Sequence, residues 1–255
     1  MKFIAIANQK GGVGKTTTAV NLAAALAEAG HRALLLDLDP QANATSGLGV
    51  APATGASIYP VMIGERAVAQ QIRSTAQERL SIIPSEIDLA GCEIEIARLD
   101  HPLHKLREVL QPLHDNQSFD YLIMDCPPSL GILMTNSLAA ADGLLIPVQS
   151  EFYALEGISK ILDLTKRMQE QGLNPGLQLI GVLLTMFDAR TRLSQQVLTE
   201  LQSHLPDKIF NTIIPRSIRL GEAPSFGQSI LQYDPHGVGA HSYRQLAMEF
   251  VARLR

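Results

Sequence analysis

An apolar run, Phe3-Ile4-Ala5-Ile6-Ala7, is followed two residues later by Lys10-Gly11-Gly12-Val13-Gly14-Lys15-Thr16-Thr17, and this junction constrains the chain more than any other segment. It reads as a phosphate-binding loop set between a short buried strand and a helix. Glycines let successive N–H groups curl inward, and the helix that follows turns its positive end toward an anion. In that arrangement Lys15 reaches the β- and γ-phosphates of a nucleotide, and the Thr16 hydroxyl ligates Mg²⁺. The strict pattern asks for a glycine six residues before the lysine, where this chain has Gln9. A second lysine, Lys10, opens the loop instead.

Strand-like runs alternate with amphipathic helical segments over the whole chain. This predicts an α/β fold, a doubly wound and mostly parallel sheet of about seven to eight strands with helices on both faces, as a single domain over residues 1–255. Strands are expected over 2–7, 33–38, 80–83, 121–125, 144–148, 179–185 and 209–214. Helices are expected over 15–29, 87–98, 103–114, 131–141, 157–171, 193–204 and 240–253, with Gly30 and Gly172 as C-terminal caps. Hydrophobic residues reach 46% but aromatics only 5%, so the core must be aliphatic, as buried parallel strands require. Ligands of such sheets sit at the carboxyl ends of the strands.

Acidic groups fall at those ends. The second strand closes in Asp37-Leu38-Asp39-Pro40-Gln41, and alternation sends both aspartates to the side of the phosphates, where one serves Mg²⁺ or the attacking water. Tyr121 to Asp125 is an apolar strand ended by an aspartate, with Pro127 and Pro128 stiffening the turn beyond it. Asp125 is expected to hold Mg²⁺ through water. A cradle, a metal and a positioned water are what phosphoryl transfer needs from a protein.

Other features exclude more than they suggest. A net charge of −4 gives no global attraction to nucleic acid, so any DNA contact must be a local patch. Cys92 and Cys126 are too few for a disulfide framework or a metal site, which fits a reducing cytosol. His101 and His104 share a helical face by spacing and read as solvated. The N-terminal residues lack a signal-peptide pattern, and no apolar stretch nears the length of a membrane span, so a cytoplasmic location is expected.

With its leading lysine, the loop from Lys10 to Thr17 resembles the deviant Walker A motif of the ParA/MinD class of ATPases. Segments 41–45, 151–157, 183–190 and 214–224 extend the resemblance to Soj-type chromosomal ParA proteins over nearly the whole chain. It implies a slow, dimerisation-dependent ATPase using ATP and Mg²⁺. Lys10 crosses a nucleotide-sandwich homodimer to the partner's phosphates, and hydrolysis depends on Lys10, Lys15 and Asp39, the last orienting the water. Magnesium is served by Thr16, Asp39 and Asp125. Lys10 through Thr17 bind the nucleotide, with Pro215 and Arg216 lying against adenine and ribose. Glu151 and the residues after it, including Phe152 and Tyr153, face the dimer partner. Arg190 and Arg219 bind DNA without sequence preference, and Arg192, Arg216 and Lys160 widen that patch. Function follows: an ATP-bound dimer on nonspecific nucleoid DNA, released by hydrolysis that a ParB-like centromere-binding partner stimulates. The larger plasmid relatives carry an N-terminal helix-turn-helix, which is not expected ahead of a loop that starts at residue 10.

Three alternatives share the loop. A related protein could position another cargo, such as a carboxysome or chemoreceptor cluster. A membrane-cycling ATPase like MinD needs a basic amphipathic tail, and residues 246–255 carry Glu249 on a short polar face, so a packed terminal helix is expected there. An electron-transfer protein like the nitrogenase iron protein needs bridging cysteines, but Cys126 directly follows Asp125 instead of lying several residues beyond it.

Overall fold

In the computed structural model, which describes residues 1–151 and 154–254, seven strands form one sheet. They are β1 Lys2–Ile6, β2 Ala33–Asp37, β3 Arg73–Ser74, β4 Leu80–Ile83, β5 Tyr121–Asp125, β6 Gly143–Gln149 and β7 Gln178–Thr185. Their order is β3-β4-β2-β5-β1-β6-β7, and every pairing is parallel except β3 with β4. The doubly wound α/β architecture expected from the alternation is present. Phe152 and Tyr153, expected at a dimer face, and Arg255 at the tail lie outside the described residues.

Helices cover both faces: α1 Lys15–Glu28, α2 Asn43–Gly47, α3 Tyr59–Met62, α4 Leu89–Ile96, α5 Lys105–Asn116, α6 Ile132–Ala140, α7 Ala154–Glu170, α8 Arg192–His204, α9 Ile218–Glu222, α10 Ile230–Tyr233 and α11 Val238–Arg253. The strand period of two divides the aliphatic side chains between two cores. Ile4, Ile6, Leu35 and Ile123 pack with Leu22 and Leu26 of α1 and Tyr243 and Phe250 of α11. Phe3, Ala5, Leu34 and Met124 pack on the other face with Leu110 of α5, Leu138 of α6 and Ile161 of α7. Gly30 and Gly172 follow α1 and α7 with φ of +96° and +73°, the left-handed backbone a C-terminal cap uses.

Three expectations are corrected. Residues 209–214 run beside β7 but form no strand; the segment makes one isolated bridge, Val182 with Ile209, and a second follows at Phe187 with Pro215. Phe210 and Ile214 donate to the Val182 and Leu184 carbonyls of β7 at 2.9 Å each, but the Thr212 N–H between them, which a ladder would use, goes with that of Asn211 to the Glu249 carboxylate of α11 at 2.8 Å each. The seventh strand is instead β3, two residues long, antiparallel and too short to leave a period. His101 and His104 precede α5 instead of riding on it, and no cluster of metal-ligating side chains occurs among the described residues. The terminal helix is packed as expected: Leu246, Ala247 and Phe250 of α11 are buried.

Candidate nucleotide site

Strand β1 ends at Ile6, flanked in register by Asp125 of β5 and Leu145 of β6, so the loop emerges at the centre of the sheet. Asn8, 1% exposed, fixes the departure: its Nδ2 donates to the Pro147 carbonyl of β6 at 2.8 Å, and its Oδ1 accepts the Lys10 N–H at 3.0 Å. Pro147 turns its backbone toward Asn8 on the β1 side, where the β1–β6 pairing has stopped at Leu145, so the N–H it lacks costs no ladder bond although β6 stays paired with β7 there. Farther along, the Thr185 hydroxyl at the end of β7 donates to the Val13 carbonyl at 2.8 Å. Gly14, at φ +85°, then turns the chain into α1 in a conformation that side chains with a Cβ disfavour.

Beside this loop lies a cleft of about 560 Å³. Gly11, Gly12, Gly14, Lys15, Thr16 and Thr17 line one wall, and Asp39, Met186, Pro215 and Arg216 line others. Of the sequence-predicted nucleotide residues, Val13 is buried beneath the loop and Lys10 faces away. The Lys10 Nζ is ion-paired with the Glu151 carboxylate, outside the cleft.

Lys15 is 7% exposed, and its Nζ donates to the Lys10 carbonyl at 3.2 Å. Burial lowers its pKa, against an opposing pull from the Asp125 carboxylate. Asp37 and Asp125 are register partners on β2 and β5, both fully buried and both turned toward the α1 face. Asp37 is saturated: its Oδ2 accepts the Thr45 N–H at 2.8 Å and the Thr45 hydroxyl at 2.7 Å, and its Oδ1 accepts the Asp39 N–H at 3.2 Å. Burial nevertheless pushes its carboxyl up to about 6. Asp125 is raised well above the carboxylate range, by burial first and by the Asp37 charge second, while the Thr16 hydroxyl and Lys15 favour its ionised form.

Neither Asp125 oxygen has a partner within hydrogen-bonding distance among the described residues. Two unpaired buried oxygens near a threonine hydroxyl form a hard donor set that suits magnesium, directly or through water. Asp39 lies past the end of β2, so strand alternation does not govern it; it lines the cleft, half-buried, and accepts the Gln41 N–H at 3.0 Å. The two aspartates of this segment are thereby separated, Asp37 into a structural network and Asp39 into the cleft.

The two arginines lie near the bridge that joins Phe187 to Pro215, Arg190 in the turn after β7 and Arg219 on α9. Each is exposed and ion-paired, Arg190 with Asp188 at 2.7 Å and Arg219 with Glu222 at 3.1 Å. The Asp188 carboxyl is held down at about 2 by its hydrogen bonds from Arg190. Sequence reasoning missed Asn8, Thr45, Thr185 and Met186. Asn8 sits between strand and loop and left no pattern, and Met186 is recognisable only by its φ of +49°.

Sheet, loop and cleft together define a P-loop nucleotide-binding protein with a second lysine at the head of the loop. Residues 1–179 match the AAA domain family model. The sporulation initiation inhibitor protein Soj of Bacillus subtilis is 50% identical over 98% of each chain. The chromosome partitioning protein ParA of Myxococcus xanthus is 47% identical over 99% of this chain and 88% of its own. Among solved structures, cobyrinic acid a,c-diamide synthase from Mycobacterium smegmatis with bound ATP analog and magnesium has a TM-score of 0.88 at 34% identity, covering 100% of this chain and 96% of that one. The chain belongs to the Soj/ParA family of chromosome-partitioning ATPases.

Proposed function

We propose that this protein moves DNA by an ATP-driven cycle in which a nucleotide-bound homodimer holds nonspecific DNA and lets go on hydrolysis. The observation that carries the reading is the division of labour between two loop lysines, Lys15 buried against the cleft and Lys10 turned out of it. Within one subunit Lys15 and the loop N–H groups from Gly12 to Thr16 hold the phosphates, while Pro215 and Arg216 line the far part of the cleft for adenine and ribose. Thr16, Asp39 and Asp125 would hold magnesium, which neutralises charge on the β- and γ-phosphate oxygens. Asp39 orients the attacking water from the rim. Lys10 adds positive charge to the partner's γ-phosphate, so that hydrolysis waits for pairing.

Arg190 and Arg219 give the dimer its DNA contact, since guanidinium forks hold phosphate oxygens and displace counterions. A ParB-like partner stimulates hydrolysis and thereby release. The membrane-cycling alternative is disfavoured because Tyr243, Leu246, Ala247 and Phe250 of α11 are committed to the core. A salt titration of random-sequence duplex binding, with a slowly hydrolysed ATP analogue, with ADP and without nucleotide, tests the reading. Tight binding is expected only with the ATP analogue, and Arg219→Ala, which removes one contact from each subunit of the dimer, should reduce the salt slope by about 2. Binding indifferent to nucleotide overturns the cycle. An unchanged slope removes Arg219 from the contact.

A further inference from the structure

Lys10 is held at both ends by the same strand. Its backbone N–H is bonded to Asn8, which is bonded to Pro147 of β6, and its ammonium is paired with Glu151, two residues past the end of β6. Glu151 is itself fixed through its backbone, its N–H donating to the Gln149 carbonyl at 2.8 Å and its carbonyl accepting the Ala154 N–H at 3.0 Å. Around the pair, Gln9, Glu156, Gly157 and Lys160 frame a hollow of about 230 Å³ separate from the nucleotide cleft. Glu156 is committed to Lys160 at 2.7 Å, which leaves Glu151 as the paired counter-ion of Lys10 among the described residues.

We infer that Glu151 is a positioning residue that holds Lys10 out of reach in the single subunit and must release it before the sandwich can close. This rests on the reading that Lys10 acts in trans. The pair is built to be broken: its side chains are 36% and 43% exposed, so solvent screens the attraction into the range of surface ion pairs. A triphosphate with magnesium in the partner's cleft presents more charge than one carboxylate and wins Lys10 when the two faces meet. The cost of opening two such latches sets the protein concentration at which dimers form, and thereby couples assembly to nucleotide.

Dimerisation of the full chain with magnesium and a slowly hydrolysed ATP analogue, followed by sedimentation velocity, gives the test. Removing one exposed pair changes an equilibrium by about two- to fivefold, so opening both should make Glu151→Gln dimerise at roughly four- to twenty-fivefold lower protein concentration. Glu151→Asp, which keeps the charge on a shorter stem, should fall between. In nucleotide-free monomer, denaturant unfolding of Lys10→Ala, Glu151→Gln and the double variant should show a stabilising coupling between the two positions. Equal or weaker dimerisation of Glu151→Gln, or no coupling in the monomer, overturns the inference. Lys10→Ala alone separates the layers: if it dimerises and hydrolyses like the parent, the trans reading has failed, whereas a Lys10 defect with an inert Glu151 leaves that reading intact and removes the latch.

Discussion

Asp125, proposed above to serve magnesium, is a buried side chain whose placement comes at the expense of stability. It is a carboxylate in the floor of the sheet with neither oxygen bonded, next to a second buried acid, Asp37. Burial and the Asp37 charge outweigh the pull of Lys15 and raise the Asp125 carboxyl above its unfolded value, so Asp125→Asn should stabilise the nucleotide-free protein at neutral pH by on the order of 1–2 kcal/mol. The same change should remove the extra stability that magnesium and nucleotide confer. Denaturant unfolding with and without Mg-nucleotide reads both effects, and a destabilised apo variant would refute the argument. Cys126 and Cys92 make a second case. Burial pushes both thiols up to about 12, and both are at most 1% exposed. At neutral pH they should resist alkylation in the folded protein and react only on unfolding, which mass spectrometry after timed iodoacetamide treatment can follow.

Among the elements, those whose residues bury a regular aliphatic pattern were legible in advance. β1, β2, β5, β6 and β7 matched the expected runs because each is an almost unbroken buried segment. The run at 209–214 is apolar at both ends but carries Asn211 and Thr212 at its centre, and a glutamate nearly forty residues later in the chain takes the amides of that pair, a bond no local pattern announces. The short helices α2, α3, α9 and α10 escaped for another reason: at four or five residues they are shorter than the repeat that would reveal them. The site was legible to the same degree. The loop, Asp39 and Asp125 stood out by residue type, whereas Asn8 and Thr185 matter through bonds to distant backbone. Two predictions belong at this scale. Gly227, at φ +63°, brings the turn after α9 against the residues following α2, and an added Cβ would lie 2.7 Å from the Gly49 Cα. Gly227→Ala should therefore cost at least about 2 kcal/mol in unfolding experiments. The Glu28–Arg244 pair ties the end of α1 to α11 at 2.5 and 2.8 Å. Its hydrogen bond holds the Glu28 carboxyl below its ordinary value of 4.5, so the contribution is complete above that pH and disappears as pH falls through the lower folded value. After solvent screening, Glu28→Gln should cost about 0.5–1 kcal/mol at neutral pH and almost nothing in strong acid.

For the molecule as a whole, the proposed role of Lys10 in trans leaves one subunit with an incomplete set of charges. Turnover per subunit should rise with protein concentration at high dilution, and Lys10→Ala should lower it by at least about 10²-fold without abolishing nucleotide binding. Steady-state hydrolysis across a dilution series, alongside equilibrium nucleotide binding, checks both. The irregular segment beside β7 has a further consequence. Glu249 and Arg253 clamp it there, Arg253 donating to the Ile180 and Ile209 carbonyls and lying 4.1 Å from the centre of the Phe210 ring. At the opposite margin the sheet ends in a two-residue antiparallel stub. Neither border therefore offers a long unsatisfied row of amides, and a crowded pool of these chains is guarded against fusing by strand addition.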